Sequence, residues 1–142
     1  MPIVFVFSSK IKTPPQTKLK TWLGKIATSE KRKIASLAYN FVSDEELWHM
    51  NKQFLNHDTY TDIITFDYSE EEKLSGEIYI STDRVKENAE KLKVSFEEEL
   101  LRVMAHGLLH LSGYKDKNPI QQKQMRAAEE RALKLFKYSL KA

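Results

Sequence analysis

Two hydrophobic periods, near two and near 3.6 residues, divide the chain into short segments. Ile3 to Phe7 is an unbroken run of valine, isoleucine and phenylalanine, which predicts a strand covered on both faces. Pro14 and Pro15 mark a loop. Leu19, Trp22, Leu23 and Ile26 then recur at helical spacing, with Lys18, Lys20 and Lys25 on the opposite face. Ala35, Leu37, Tyr39 and Phe41 alternate with smaller or polar residues and predict a second strand. Ser43 and Glu46 form a capping-box pair that opens a short helix, with Leu47, Met50 and Phe54 inward.

Ile63 to Tyr68 and Gly76 to Ile80 read as two more strands, joined through the polar run Glu70, Glu71, Glu72 and Lys73. Ser81 is a candidate cap for a helix that places Val85, Ala89 and Leu92 on one face. Ser95 and Glu98 repeat the capping-box spacing. From Leu100 to Leu111 the residues Leu100, Leu101, Val103, Met104, Ala105, Leu108, Leu109 and Leu111 leave almost no polar face, which predicts a central helix buried on nearly all sides, with His106 and His110 set into it. Gly113 ends it in the left-handed conformation that glycine adopts without penalty. Asn118 and Pro119 begin a last helix whose stripe is Met125, Ala128, Ala132 and Leu135. Strands and helices in this order predict an α+β fold, a single domain over residues 1–142 with one small sheet and about five helices packed around it.

The two histidines are the residues of this core helix that need a chemical explanation. Four residues apart on a helix, His106 and His110 project from one face, about 5–6 Å apart at their β-carbons. That spacing suits two ligands of one metal ion. Asp116, beyond the glycine turn, can fold back with a carboxylate, giving three protein ligands and a fourth position for water, as in catalytic zinc sites. The plainer alternative is that each imidazole only hydrogen-bonds a backbone carbonyl. In the peptidase signature HExxH the residue after the first histidine is the general base. This chain has Gly107 there, and glycine cannot take a proton.

Composition narrows the chemistry. With no cysteine among 142 residues, disulfides and thiolate metal sites are excluded, so any metal is held by nitrogen and oxygen. No apolar run is long enough to span a bilayer, and no basic segment precedes the short apolar run at the N-terminus, so neither a membrane anchor nor an export signal is expected. A reducing cytoplasm fits the absence of cysteine. The formal charge of +3 and lysine clusters such as Lys31, Arg32 and Lys33, or Lys134, Lys137 and Lys141, permit contact with phosphates without identifying RNA.

The stretch HGLLHLSGY, with an acid at position 116, resembles the YbeY family of bacterial metal-dependent endoribonucleases, whose pattern reads H-G-x-L-H-L-x-G-Y-x-H. The segment from Met50 to Tyr68 and the block from Gly76 to Ser81 are similar to further family motifs in the same order. The resemblance implies a mixed sheet of about four strands with the metal site at the end of the central helix. It also implies cleavage of single-stranded RNA in ribosomal RNA maturation, at the 16S rRNA 3′ end, and in ribosome quality control, with ribosomal subunit proteins as partners. His106, His110 and Asp116 take the positions of the metal ligands, with His106 central to catalysis.

Two departures bear on mechanism. Asp116 stands where the family usually has histidine, which lowers the charge of the metal centre by one. Two histidines and a carboxylate are a normal zinc set and also suit iron, nickel or manganese; zinc is the expected ion. Leu55 stands where the family has an arginine, and leucine cannot make the paired hydrogen bonds by which arginine holds phosphate. His57 is a candidate substitute cation. Asp62 and Ser81 are candidates for lining the cleft, against the alternatives of a turn residue and a helix cap. Either water or a 2′-hydroxyl would serve as nucleophile. A peptidase-like hydrolase and a non-catalytic ribosome-associated RNA-binding factor with a structural metal are the competing functions.

Overall fold

The computed structural model describes residues 2–8, 10–54 and 61–141. Strands β1 (Ile3–Phe7), β2 (Lys33–Val42), β3 (Ile63–Asp67) and β4 (Lys73–Ser81) form one mixed sheet in the order β1-β2-β4-β3. β1 is parallel to β2 and β2 to β4, while β3 is antiparallel to β4. Helices α1 (Gln16–Ser29), α2 (Asp44–Phe54), α3 (Thr82–Leu92), α4 (Phe96–Leu111) and α5 (Pro119–Lys141) complete the α+β arrangement expected from the order of segments. A parallel connection needs a crossover, and α1 supplies it between β1 and β2.

Period-two alternation sets which side of each strand is buried. Leu37, Tyr39 and Phe41 of β2 and Leu74, Ile78 and Ile80 of β4 face the main core beneath α1, α4 and α5. A smaller cluster of Val42, Leu47 and Ile64 lies under α2. Two buried polar tips tie the layers together, as buried tyrosine and tryptophan require. The Trp22 Nε1–H of α1 donates to the Ala132 carbonyl of α5 at 2.7 Å, and the Tyr39 hydroxyl of β2 donates to the Met104 carbonyl of α4 at 2.8 Å. Complete burial raises the Tyr39 pKa far above the usual phenol range.

The caps form as the sequence predicts. Ser43 and Glu46 exchange reciprocal bonds: the Glu46 N–H donates to Ser43 Oγ at 3.1 Å and the Ser43 N–H to Glu46 Oε1 at 3.2 Å. Ser95 Oγ accepts from the Glu98 N–H at 3.0 Å, and Asn118 Oδ1 from the Gln121 N–H at 2.8 Å.

Four expectations are corrected. β1 is not covered on both faces: Ile3, Phe5 and Phe7 turn to the core, while Val4 and Val6 on the other face are 55% and 52% exposed. The fourth strand starts three residues before Gly76, because the exposed acidic connection is a tight hairpin. Glu70 and Lys73 exchange backbone hydrogen bonds of 3.0 and 2.9 Å, with Glu71 in the left-handed region between them, so β4 starts at Lys73. Leu92 is 57% exposed, because α3 ends there and Lys93 turns left-handed at the cap. On α5 the four-residue step from Ala132 buries Phe136, whose ring meets Trp22 edge-on at 5.4 Å, and leaves Leu135 only half-buried.

Gly107 explains how α4 can lie so close to the sheet. A β-carbon there would stand 2.9 Å from Ile78 Cδ1, 3.1 Å from Ile78 Cγ2 and 3.1 Å from Ile63 Cδ1. Among the described residues no helix is long and apolar enough to cross a membrane.

Candidate active site

Between Leu100 and Leu111, the positions of α4 that are not buried are Arg102, His106 and His110. They are spaced four apart and so form one stripe along the helix. The stripe opens into a cleft of about 470 Å³, lined by Arg102, His106 and His110 on one side and by Asp62, Ile64 and Thr65 at β3 on the other. Gly113, with φ of 111°, turns the chain after α4, and Asp116 comes back to the same cleft. Its Oδ2 lies 3.5 Å from His106 Nε2.

His106 is held from behind. Its side chain is 21% exposed, and Nδ1 lies 2.7 Å from Oε2 of Glu129, a residue of α5 that is 4% exposed. Arg102 Nη1 donates to Glu129 Oε1 at 3.0 Å, and the rest of the guanidinium grips Glu99, with Nε donating to Oε1 at 2.8 Å. Glu99 is itself 1% exposed. A buried charge is tolerable only when paired and hydrogen-bonded, and here each carboxylate is.

The charges around the ring decide its behaviour. Burial opposes charging His106, but the hydrogen bond and charge of Glu129, with the charges of Asp116 and Asp62, outweigh it and raise the imidazole pKa above its usual value. Burial pushes Glu129 the other way, toward the neutral acid. His106 and Arg102 outweigh that, so its carboxyl is held below the usual range. Arg102 is kept charged, first by its bond to Glu99, against the effect of burial.

The structure therefore brings His106, His110, Asp116 and Asp62 to one cleft. Among the described residues, no three His, Asp or Glu side chains are gathered tightly enough to hold a metal ion as they stand. The donor chemistry nevertheless fits a divalent cation: two imidazoles and a carboxylate line one cleft, and the His106 nitrogen facing Asp116 is the one not bonded to Glu129. Among the described residues lining the cleft or bonded behind it, the carboxylates of Asp62, Asp116, Glu99 and Glu129 also outnumber the guanidinium of Arg102. Ser81 belongs elsewhere. It is fully buried, its Oγ accepts from the Arg84 N–H at 3.1 Å and donates to Asp44 Oδ1 at 3.4 Å, and its role is the helix cap. His57 and Leu55 lie outside the described residues.

Two members of the constellation escaped the sequence reading. Arg102 is four residues before His106 and continues the histidine stripe; that spacing was its signal. Glu129 is an acid set on the apolar stripe of α5, one residue after Ala128 and three before Ala132. Arg32, grouped above with possible phosphate contacts, instead donates to the carbonyls of Glu71 and Ser112, at 2.8 and 3.3 Å.

The family model for endoribonuclease YbeY matches residues 7–137. The chain belongs to the YbeY family. It is 52% identical over 124 residues to endoribonuclease YbeY of Cytophaga hutchinsonii, covering 87% of each chain. It is 45% identical to that of Flavobacterium psychrophilum, covering 94% of this chain and 96% of the relative. A Thermotoga maritima protein solved in solution superposes with a TM-score of 0.68 at 33% identity, covering 94% of this chain and 88% of that one. The YbeY resemblance carried by the histidine stretch thus extends over nearly the whole chain.

Proposed function

We propose that this protein is a metal-dependent endoribonuclease of single-stranded RNA, acting in the cytoplasm on ribosomal RNA precursors during maturation of the 16S rRNA 3′ end and in ribosome quality control. The observation that carries the reading is the arrangement at His106. In a chain of the YbeY family, its Nε2 lies 3.5 Å from Asp116 Oδ2 at an open cleft while its Nδ1 is tied to a buried carboxylate.

His106, His110 and Asp116 would hold one divalent ion. Zinc suits two imidazoles and a carboxylate best, and iron, manganese and nickel share the set. When bound, such an ion supplies positive charge to a phosphate oxygen and makes water a better nucleophile near neutral pH. The protein's own groups do the rest. Asp62, on the opposite wall, would accept a hydrogen bond from a 2′-hydroxyl or from water, and Thr65 would offer a hydroxyl donor to a phosphate oxygen. Arg102 is the one guanidinium lining the described cleft, and three of its five N–H donors are held by Glu99 and Glu129. Its first task is to order the wall.

A peptidase mechanism finds no base at position 107, where Gly107 is pressed against Ile63 and Ile78 of the sheet. The deciding experiment compares cleavage of a single-stranded ribosomal RNA fragment by the wild type and His106→Ala, each with and without chelator. Cleavage only by the metal-loaded wild type is expected. Equal cleavage by both proteins, or by neither when the wild type binds metal, refutes the proposal.

A further inference from the structure

We propose that Glu129 is a positioning residue for His106: by accepting the Nδ1–H it fixes the tautomer whose bare Nε2 faces the cleft, and the Glu99–Arg102 pair holds that carboxylate in register. The inference rests on the metal-site reading for its consequence, and on hydrogen-bond geometry for its cause.

A neutral imidazole carries one N–H, and the partner of that N–H decides which nitrogen is left with a lone pair. Glu129 Oε2 stands 2.7 Å from Nδ1, and its other oxygen is already taken by Arg102 Nη1 at 3.0 Å. The guanidinium cannot swing away, because Nε and Nη2 both hold Glu99. The chain of contacts runs from α4 to α5 and back to α4, so the ring angle of His106 is set by helix packing. Metal-ligating histidines commonly donate their second N–H to such a carboxylate, and losing it costs roughly 10–100-fold in metal affinity.

Glutamine at 129 inverts the arrangement while keeping its size. The amide oxygen is required by Arg102, which can only donate. The amide NH2 then points at Nδ1, which must accept, and the proton moves to Nε2, where it blocks ligation.

Nitrogen-15 NMR of the metal-free protein at alkaline pH, where the ring is neutral, reads the tautomer directly. The wild type should show Nδ1–H, and Glu129→Gln should show Nε2–H. Zinc titration against a chromophoric chelator should show affinity falling about 10–100-fold in Glu129→Gln. Glu99→Gln disturbs the same network without touching His106, and it should keep the Nδ1–H tautomer and lose far less affinity. An Nε2–H tautomer in the wild type overturns the proposal even if the variants do not fold. So does an unchanged tautomer in Glu129→Gln, or an equal loss of affinity in Glu99→Gln. A wild type with the Nδ1–H tautomer that binds no zinc and cleaves no RNA upholds the positioning role and removes the metalloribonuclease reading.

Discussion

Replacing Gly107 by alanine tests whether close packing of α4 on the sheet, rather than chemistry, dictates the glycine between the two histidines. In an exposed helix alanine is favoured over glycine by about 1 kcal/mol. Here the new β-carbon would lie 2.9 Å from Ile78 Cδ1 and 3.1 Å from both Ile78 Cγ2 and Ile63 Cδ1. Ile78 is fully buried, so its methyl group cannot swing into solvent. Overpacking of this kind costs about 1–3 kcal/mol. Subtracting the gain in helix propensity leaves a net destabilisation of about 1 kcal/mol, and a melting temperature lower by about 3–4 °C. Urea unfolding with an unchanged m-value would measure it. Ile78→Val removes the nearest methyl at its own cost of about 0.5–1.5 kcal/mol. If steric crowding is the cause, the double variant should be more stable than the sum of the single effects by at least about 0.5 kcal/mol. A Gly107→Ala protein as stable as the wild type, or no coupling with Ile78→Val, refutes the packing argument.

Gly107→Glu, which recreates the peptidase signature, should yield unfolded or aggregated protein and no peptidase activity, because the carboxylate would be driven against buried Ile78; circular dichroism and a casein assay check this. Asp116→Ala should weaken zinc binding and Asp116→His should restore or exceed it; unchanged affinity in the alanine variant, by chelator competition, removes Asp116 from the ligand set. The His106–Glu129 pair predicts a pH dependence of the metal-free protein. His106 is raised from about 6.5, so its contribution is complete below that value and is lost as pH climbs through the folded pKa. Glu129 is lowered from about 4.5, so its contribution is present above that value and is lost as pH falls through the folded pKa. The difference in melting temperature between wild type and His106→Ala under chelation should therefore peak between the two and shrink on either side. Ser43→Ala removes the hydroxyl that caps α2 and should cost about 1 kcal/mol in urea unfolding, with cleavage activity unchanged.

Local rules accounted for the elements and most of the cleft. Capping pairs such as Ser43 with Glu46 are read within four residues, and the structure forms the same bonds. The step of four from His106 to His110 places them on one face of any helix. The start of β4 and the exposure of Leu92 turned on local left-handed residues, Glu71 and Lys93, and the other misreadings on tertiary surroundings. Val4 and Val6 are as apolar as buried residues, and they are exposed because their face of β1 is the one turned away from the core. Ser81 has a hydroxyl suited to cap or substrate, and its burial beside Asp44 settles the choice.

The sequence by itself determined the helix and strand periods, the turn at Gly113, the spacing of the histidines and the lack of a base at Gly107, because each depends on residues near one another along the chain. What the tertiary structure alone decided is the partnership of groups far apart in it. Glu129 lies 23 residues from His106, yet the packing of α5 on α4 brings their side chains to 2.7 Å. No periodicity encodes that distance: it follows from how two apolar stripes bury each other, and with it comes the environment that shifts the histidine's charge and selects the nitrogen facing the cleft.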